Sequence, residues 1–160
     1  MYNEKDFLSA ISKSYKKYIQ YGARSTEKLK PIHTCIAKIL QNIFGSNYTI
    51  YHIGKDKKEF KVKGKYYDKD VDIVVVKDNK PILCLGIKFV TSNYKQNANN
   101  YFENMMGETA NIQALKNLPF FQLLILRYQT PYYAKTIQKK GEKQPKKNGN
   151  HKPARFTKIH

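Results

Sequence analysis

Tryptophan is absent from this 160-residue chain, and cysteine occurs only twice. Two cysteines cannot staple a small secreted scaffold, and Cys35 and Cys84 each sit inside an apolar run, where they read as small core side chains. No segment approaches the roughly 20 apolar residues of a membrane-spanning helix. The N-terminus lacks the apolar region of a signal peptide, so a soluble, cytoplasmic protein with no membrane role is expected. Acidic residues are also scarce: 12 Asp and Glu stand against 30 Lys and Arg, a net charge of +18. Such an excess strongly attracts a polyanion, nucleic acid first and a membrane surface second. Abundant Lys and Asn without Trp is also what an AT-rich coding sequence produces with no ligand involved.

The charge is unevenly spread. Residues 133–160 hold nine Lys and Arg against Glu142, or +8, which leaves +10 for residues 1–132. The expected organisation is one folded core over 1–132, N-terminal helices included, and a basic tail over 133–160. The tail has almost no apolar periodicity and is expected to be disordered when alone. Its abrupt change of composition is also what a truncated or altered reading frame would give.

Within the core, Asn3 caps a predicted helix over 4–20 whose stripe is Phe7, Leu8, Ile11, Tyr15, Tyr18 and Ile19. Ser25 or Thr26 is the cap for a second helix with the stripe Leu29, Ile32, Ile36, Ile39, Leu40 and Ile43. Pro31 belongs in its first turn, so its regular part starts near Lys30 or kinks there, and Gly45 ends it. Strand chemistry follows near 47–53, 59–66, 69–76 and 82–90. A turn over 77–81 makes the last two a hairpin. The run Val71, Ile73 to Val76 is nearly continuous in apolar residues, as in a central strand covered on both faces. A helix over 99–116, with Tyr101, Met105, Ala110, Ile112 and Leu115 inward, and a strand over 120–126 complete an α/β arrangement around a mixed sheet.

The chemistry concentrates at Asp68, Asp70 and Asp72, which open the central strand. Carboxylates beside an apolar run cost desolvation unless neutralised, and a hard cation such as Mg²⁺ does this while keeping waters for chemistry. Asp68 and Asp70 read as solvated strand ends; Asp72, beside Ile73 to Val76, does not. Across the hairpin, Lys88 is embedded in the apolar Leu85 to Phe89. A five-residue loop sets Val76 opposite Ile82 and Asp72 opposite Gly86, with Gly86 and Lys88 sharing a face. His33 reads as a partly buried helix residue, and His52, His151 and His160 lack the spacing of a zinc site.

On these residues the chain resembles the PD-(D/E)XK nuclease superfamily, type II restriction endonucleases in particular. The resemblance covers residues 21–133 through YGARSTEKLK (Tyr21 to Lys30), KDVDIVVV (Lys69 to Val76), GIKF (Gly86 to Phe89) and NYFENMMGETANI (Asn100 to Ile112). It implies a restriction-endonuclease-like core, Asp72 as metal-binding aspartate, and Lys88 as the lysine that positions the attacking water and offsets charge at the phosphate. Gly86 departs from the motif, standing where Asp or Glu is expected. Some branches carry that acid on the next helix, where Glu103 is the first candidate and Glu108 the reserve, with Glu27 as an assisting early-helix glutamate. The implied cofactor is Mg²⁺ and the implied substrate double-stranded DNA, cut by a homodimer whose host carries a cognate DNA methyltransferase. Arg24, Lys28 and Lys95 suit phosphate contacts, and the amides Asn93, Gln96, Asn97, Asn99 and Asn100 suit adenine edges or a plain capping loop. The competing expectations are a non-catalytic basic nucleic-acid-binding protein and an inactive nuclease remnant.

Overall fold

The computed structural model describes residues 3–54, 59–116 and 118–128, with the backbone alone at 115 and 116; the expected tail lies outside the described residues. Helix α1 spans Glu4–Tyr21, and the Asn3 side chain accepts from the Lys5 N–H at its start. Its buried face includes Ala10 and Ser14, while Leu8 and Ile19 of the expected stripe are exposed. The helix therefore lies rotated towards its small residues. Ser25 caps a short 3-10 turn, Thr26–Lys28, rather than α2 itself. Helix α2 spans Lys30–Phe44, with Pro31 in its first turn and Gly45 closing it at a φ of 82° that favours glycine. Ile43 of its expected stripe is exposed.

Among the described residues six strands follow: β1 Thr49–His52, β2 Phe60–Lys63, β3 Asp68–Val71, β4 Ile73–Lys77, β5 Lys80–Val90 and β6 Phe120–Leu126. Helix α3, Tyr94–Lys116, separates the last two. The main sheet has the order β1-β4-β5-β6, antiparallel except for the parallel β5–β6 pair, and β2–β3 form a separate antiparallel ribbon. The protein is thus α/β, a mixed four-stranded sheet flanked by helices. On one face Ile32, Ile36 and Ala37 of α2 pack on Ile50, Ile73, Val75, Ile87 and Ile125. On the other, Ile112 of α3 packs with Val74, Val76, Cys84 and Phe120, and the ribbon adds Val62 and Val71.

Three expectations are corrected. The strand expected over 69–76 is two strands in different sheets, because Asp72 joins neither ladder. Its Oδ2 accepts a 2.6 Å hydrogen bond from the Ile87 N–H, so a side chain takes the place of a ladder carbonyl and the chain bends. The β4–β5 loop is two residues, not five: Asp78 and Asn79 have φ of 49° and 60°, the left-handed pair of a tight hairpin. A bulge then shifts the register between Val75↔Leu83 and Val76↔Pro81. The shorter turn and the bulge offset each other, so Ile73 pairs with Leu85 and one further step still sets Asp72 across from Gly86. Finally, α3 starts at Tyr94 and not near 99. Its first turns are held by the Asn97 side chain donating to the Asn93 carbonyl and by Tyr94 stacking on Tyr101. Ala110 lies outward, and the Leu115 side chain falls outside the described residues.

Candidate functional site

The two-residue strand period sends Asp72, Gly86 and Lys88 to the α3 side of the sheet. There Lys88 Nζ lies 2.9 Å from Glu108 Oε1 of α3. The same oxygen is 3.0 Å from Lys69 Nζ, which reaches it from β3. Glu108 is the least exposed of the three, at 12% against 24% for Lys88. Burial pushes its carboxyl up, but the two ammonium groups together outweigh this and hold it below the usual carboxylate range. Asp72 has the opposite balance. Burial raises its pKa, and the Ile87 hydrogen bond and the charges of Lys88 and Lys69 only partly offset that, with Glu108 adding to the rise.

Glu59 belongs to the same neighbourhood. One step beyond the Phe60↔Val71 pair it stands opposite Asp72, and its pKa is raised by burial and then by the charges of Asp72 and Asp70. Two lysines thus share one region with three carboxyl groups. Lys69, Glu59 and a third residue, Asn111, are absent from the sequence-based set. The alternation of β3 puts Lys69 and Val71 on one face, which could have pointed to Lys69. Glu59 becomes legible only once the ribbon register is known.

The helix carboxylate at the site is Glu108 and not Glu103. Glu103 is exposed and lies about 140° round the helix from Glu108, so when Glu108 and Ile112 face the sheet Glu103 faces away. Glu27 is ion-paired with Lys17 and Lys30 beside α1, and those partners lower its pKa. Arg24, Lys95, Gln96, Asn99 and Asn100 are exposed. Lys28 donates to the Ala23 carbonyl, and Asn97 is spent on the Asn93 carbonyl. Gln96, Asn97, Asn99 and Asn100 therefore lie along the first turns of α3, with Asn93 immediately before it.

The direction of a side chain at Gly86 is also defined. A Cβ there would stand 3.2 Å from Phe120 Cζ and 3.9 Å from Gln122 Cγ. A side chain at the place of the motif acid would press on the Phe120 ring, which would have to give by a few tenths of an ångström, and Gln122 beside it is fixed by donating to the Met105 carbonyl and to Thr109 Oγ1. Behind the sheet, His33 is fully buried rather than partly so, and neither ring nitrogen has a hydrogen-bond partner among the described residues. Burial and the neighbouring His52 push its pKa down to about 4, against a small opposing effect of the Asp72 backbone.

Among the described residues no three His, Cys, Asp or Glu side chains converge closely enough to hold a metal ion. Magnesium needs fewer, because it keeps several waters and is held by one or two carboxylates together with substrate phosphates. The oxygen donors Asp72 and Glu108 fit that requirement. No helix of the described residues is long and apolar enough to cross a membrane. Comparison with protein-family models, curated proteins and solved structures finds no match for this chain.

Proposed function

We propose that this chain is the core of a Mg²⁺-dependent endonuclease of the PD-(D/E)XK type that hydrolyses phosphodiester bonds of double-stranded DNA, as a type II restriction enzyme does. The observation that carries the reading is Asp72, at the head of β4, and Lys88 of β5, on one face and beside the Glu108 carboxylate of the following helix. Glu108 takes the role left empty at Gly86, and the mixed sheet flanked by helices suits a restriction-endonuclease-like core. Asp72 and Glu108 would hold the ion, through the oxygens left by the Ile87 and lysine bonds. A bound Mg²⁺ supplies Lewis-acid polarisation of the phosphate and a more acidic water. Lys88 offsets negative charge that builds up on the phosphoryl oxygens, and Lys69 holds Glu108 from the ribbon side. Cuts in both strands of a symmetric site call for a homodimer, and a cognate methyltransferase would protect the host genome.

A second reading, a nuclease remnant that binds DNA without cutting it, is favoured by the glycine at the place of the motif acid, with the Phe120 ring close against it, and by Glu108 being engaged by two lysines. Supercoiled plasmid incubated with Mg²⁺ separates the two. The proposal expects discrete products that vanish in Asp72→Ala, Lys88→Ala and Glu108→Gln and persist in Glu103→Gln. Plasmid binding without cleavage in either Mg²⁺ or Mn²⁺ would overturn it in favour of the remnant.

A further inference from the structure

The tip of the β2–β3 ribbon combines features that seldom occur together. Tyr66 and Tyr67 are 71% and 50% exposed, yet the backbone that carries them is fixed. Asn111 of α3, fully buried, accepts from the Tyr66 and Tyr67 N–H groups through Oδ1 and donates to the Tyr67 carbonyl through Nδ2. Its own carbonyl accepts from the Lys65 N–H at 2.8 Å. Gly64 is what permits this approach, since a Cβ there would stand 2.2 Å from Asn111 Nδ2. Two aromatic rings are therefore held out in water on a rigid support, at little further entropic cost on binding.

Charge and position indicate the partner. Residues 60–71 hold four lysines against two aspartates, and Lys65 Nζ stands 5.4 Å from the Tyr66 ring centroid. Asn111 lies three residues after Glu108 on α3, one helical turn away, so the tip is anchored about 5 Å along the helix from the candidate site. Lys69, two residues beyond Tyr67, reaches Glu108 itself. We infer that Tyr66 and Tyr67 form a stacking platform for an unstacked base of the DNA strand whose phosphate reaches Lys88. Aromatic faces accept any base, and lysines beside them hold the backbone. The inference rests on the nuclease reading for which strand is held, but binding does not require cleavage.

The test is fluorescence anisotropy in EDTA with two labelled duplexes, one fully paired and one carrying an unpaired base. Tyr66→Ala with Tyr67→Ala should weaken binding of the duplex with the unpaired base about tenfold or more, with an unchanged melting temperature. It should barely alter the fully paired duplex, and the double Tyr→Phe variant should bind like wild type. Lys65→Ala should instead reduce the salt dependence of binding by about one phosphate contact. Unchanged affinity in the double Ala variant, or a Phe variant as weak as the Ala one, overturns the platform. Equal loss on both duplexes overturns it too, by assigning the tip to phosphate contacts. A wild type that shows the platform effect but never cuts plasmid overturns the nuclease reading alone; normal cleavage without the effect overturns the platform alone.

Discussion

Ile73, Val75 and Ile87 leave the sheet towards α1 and α2, while their neighbours Asp72 and Lys88 leave it towards α3. The first face is packed with apolar side chains, and among the described residues Ser14, Tyr15 and His33 bury polar atoms there without a hydrogen-bond partner. The second carries Asp72, Lys88, Lys69 and Glu108 beside its own apolar cluster. One pair of strands therefore contributes stability through alternate residues and holds the charged site through the others.

The sharpest way to test this division is to cut one residue from each face. Ile73 is fully buried, and Ile73→Ala should cost about 3 kcal/mol through lost burial and the cavity left behind. Urea denaturation reads that loss, and the folded fraction that remains should cut DNA at the normal rate. Lys88→Ala should do the reverse, with an unfolding midpoint near that of wild type and cleavage slowed by about 10²–10³-fold. If Lys88→Ala unfolds the protein as readily as Ile73→Ala, the two faces are not functionally distinct.

His33 gives a smaller, pH-dependent contrast within the apolar face. Its folded pKa is about 4 against an ordinary 6.5, so below pH 6.5 the unfolded chain binds a proton that the native state excludes. The stability tied to neutral His33 is complete above the unfolded pKa and is lost as pH falls through that window, by roughly 2 kcal/mol at pH 5. His33→Leu, which also removes two buried nitrogens without partners, should flatten the difference between urea midpoints at pH 7.5 and pH 5. An equally steep loss in the Leu variant would assign the acid sensitivity to other groups.

Much of this arrangement was legible from residue order. The helix starts at Asn3 and Lys30, the Gly45 stop and the central Ile73–Val76 run follow from local chemistry that tertiary contacts do not override. Asp72 stands across from Gly86 by a route other than the expected one: a two-residue turn and a bulge add up to the phase of a five-residue loop. Turn chemistry at Asp78 and Asn79 pointed to the tight turn, but nothing local announces a bulge at Ile82. Spacing after Lys88 favours Glu103, but the helical rotation that buries Asn111 and Ile112 turns Glu108, not Glu103, to the sheet. Glu59 is out of reach for a different reason: it comes to the site from the edge of a second sheet, and its place opposite Asp72 follows only from the ribbon register. Lys69 shares the Val71 face by the alternation of β3, but its partner Glu108 lies on an element that the strand pattern does not name.

The mildest substitution probes the charged face where it works against the fold. Burial is the largest influence on Asp72 and raises its pKa above 3.8, so the folded state keeps this proton to a higher pH than the unfolded chain does. As pH rises through 3.8 and then through the folded pKa, the ionised carboxylate progressively lowers stability, and the loss is complete above that value. Asp72→Asn retains an oxygen to accept from the Ile87 N–H but carries no charge. It should therefore stabilise the protein at pH 8, by roughly 0.5–2 kcal/mol, with the advantage vanishing in acid and cleavage abolished throughout. Thermal melts of both proteins at pH 8 and pH 4 check the sign. Under the proposed function Mg²⁺ should narrow the gap at pH 8, because only the aspartate gains a counter-charge on binding it. An Asn variant less stable than wild type at pH 8 would mean that Lys88 and Lys69 already neutralise Asp72, and that the charged face stabilises the fold as the apolar one does.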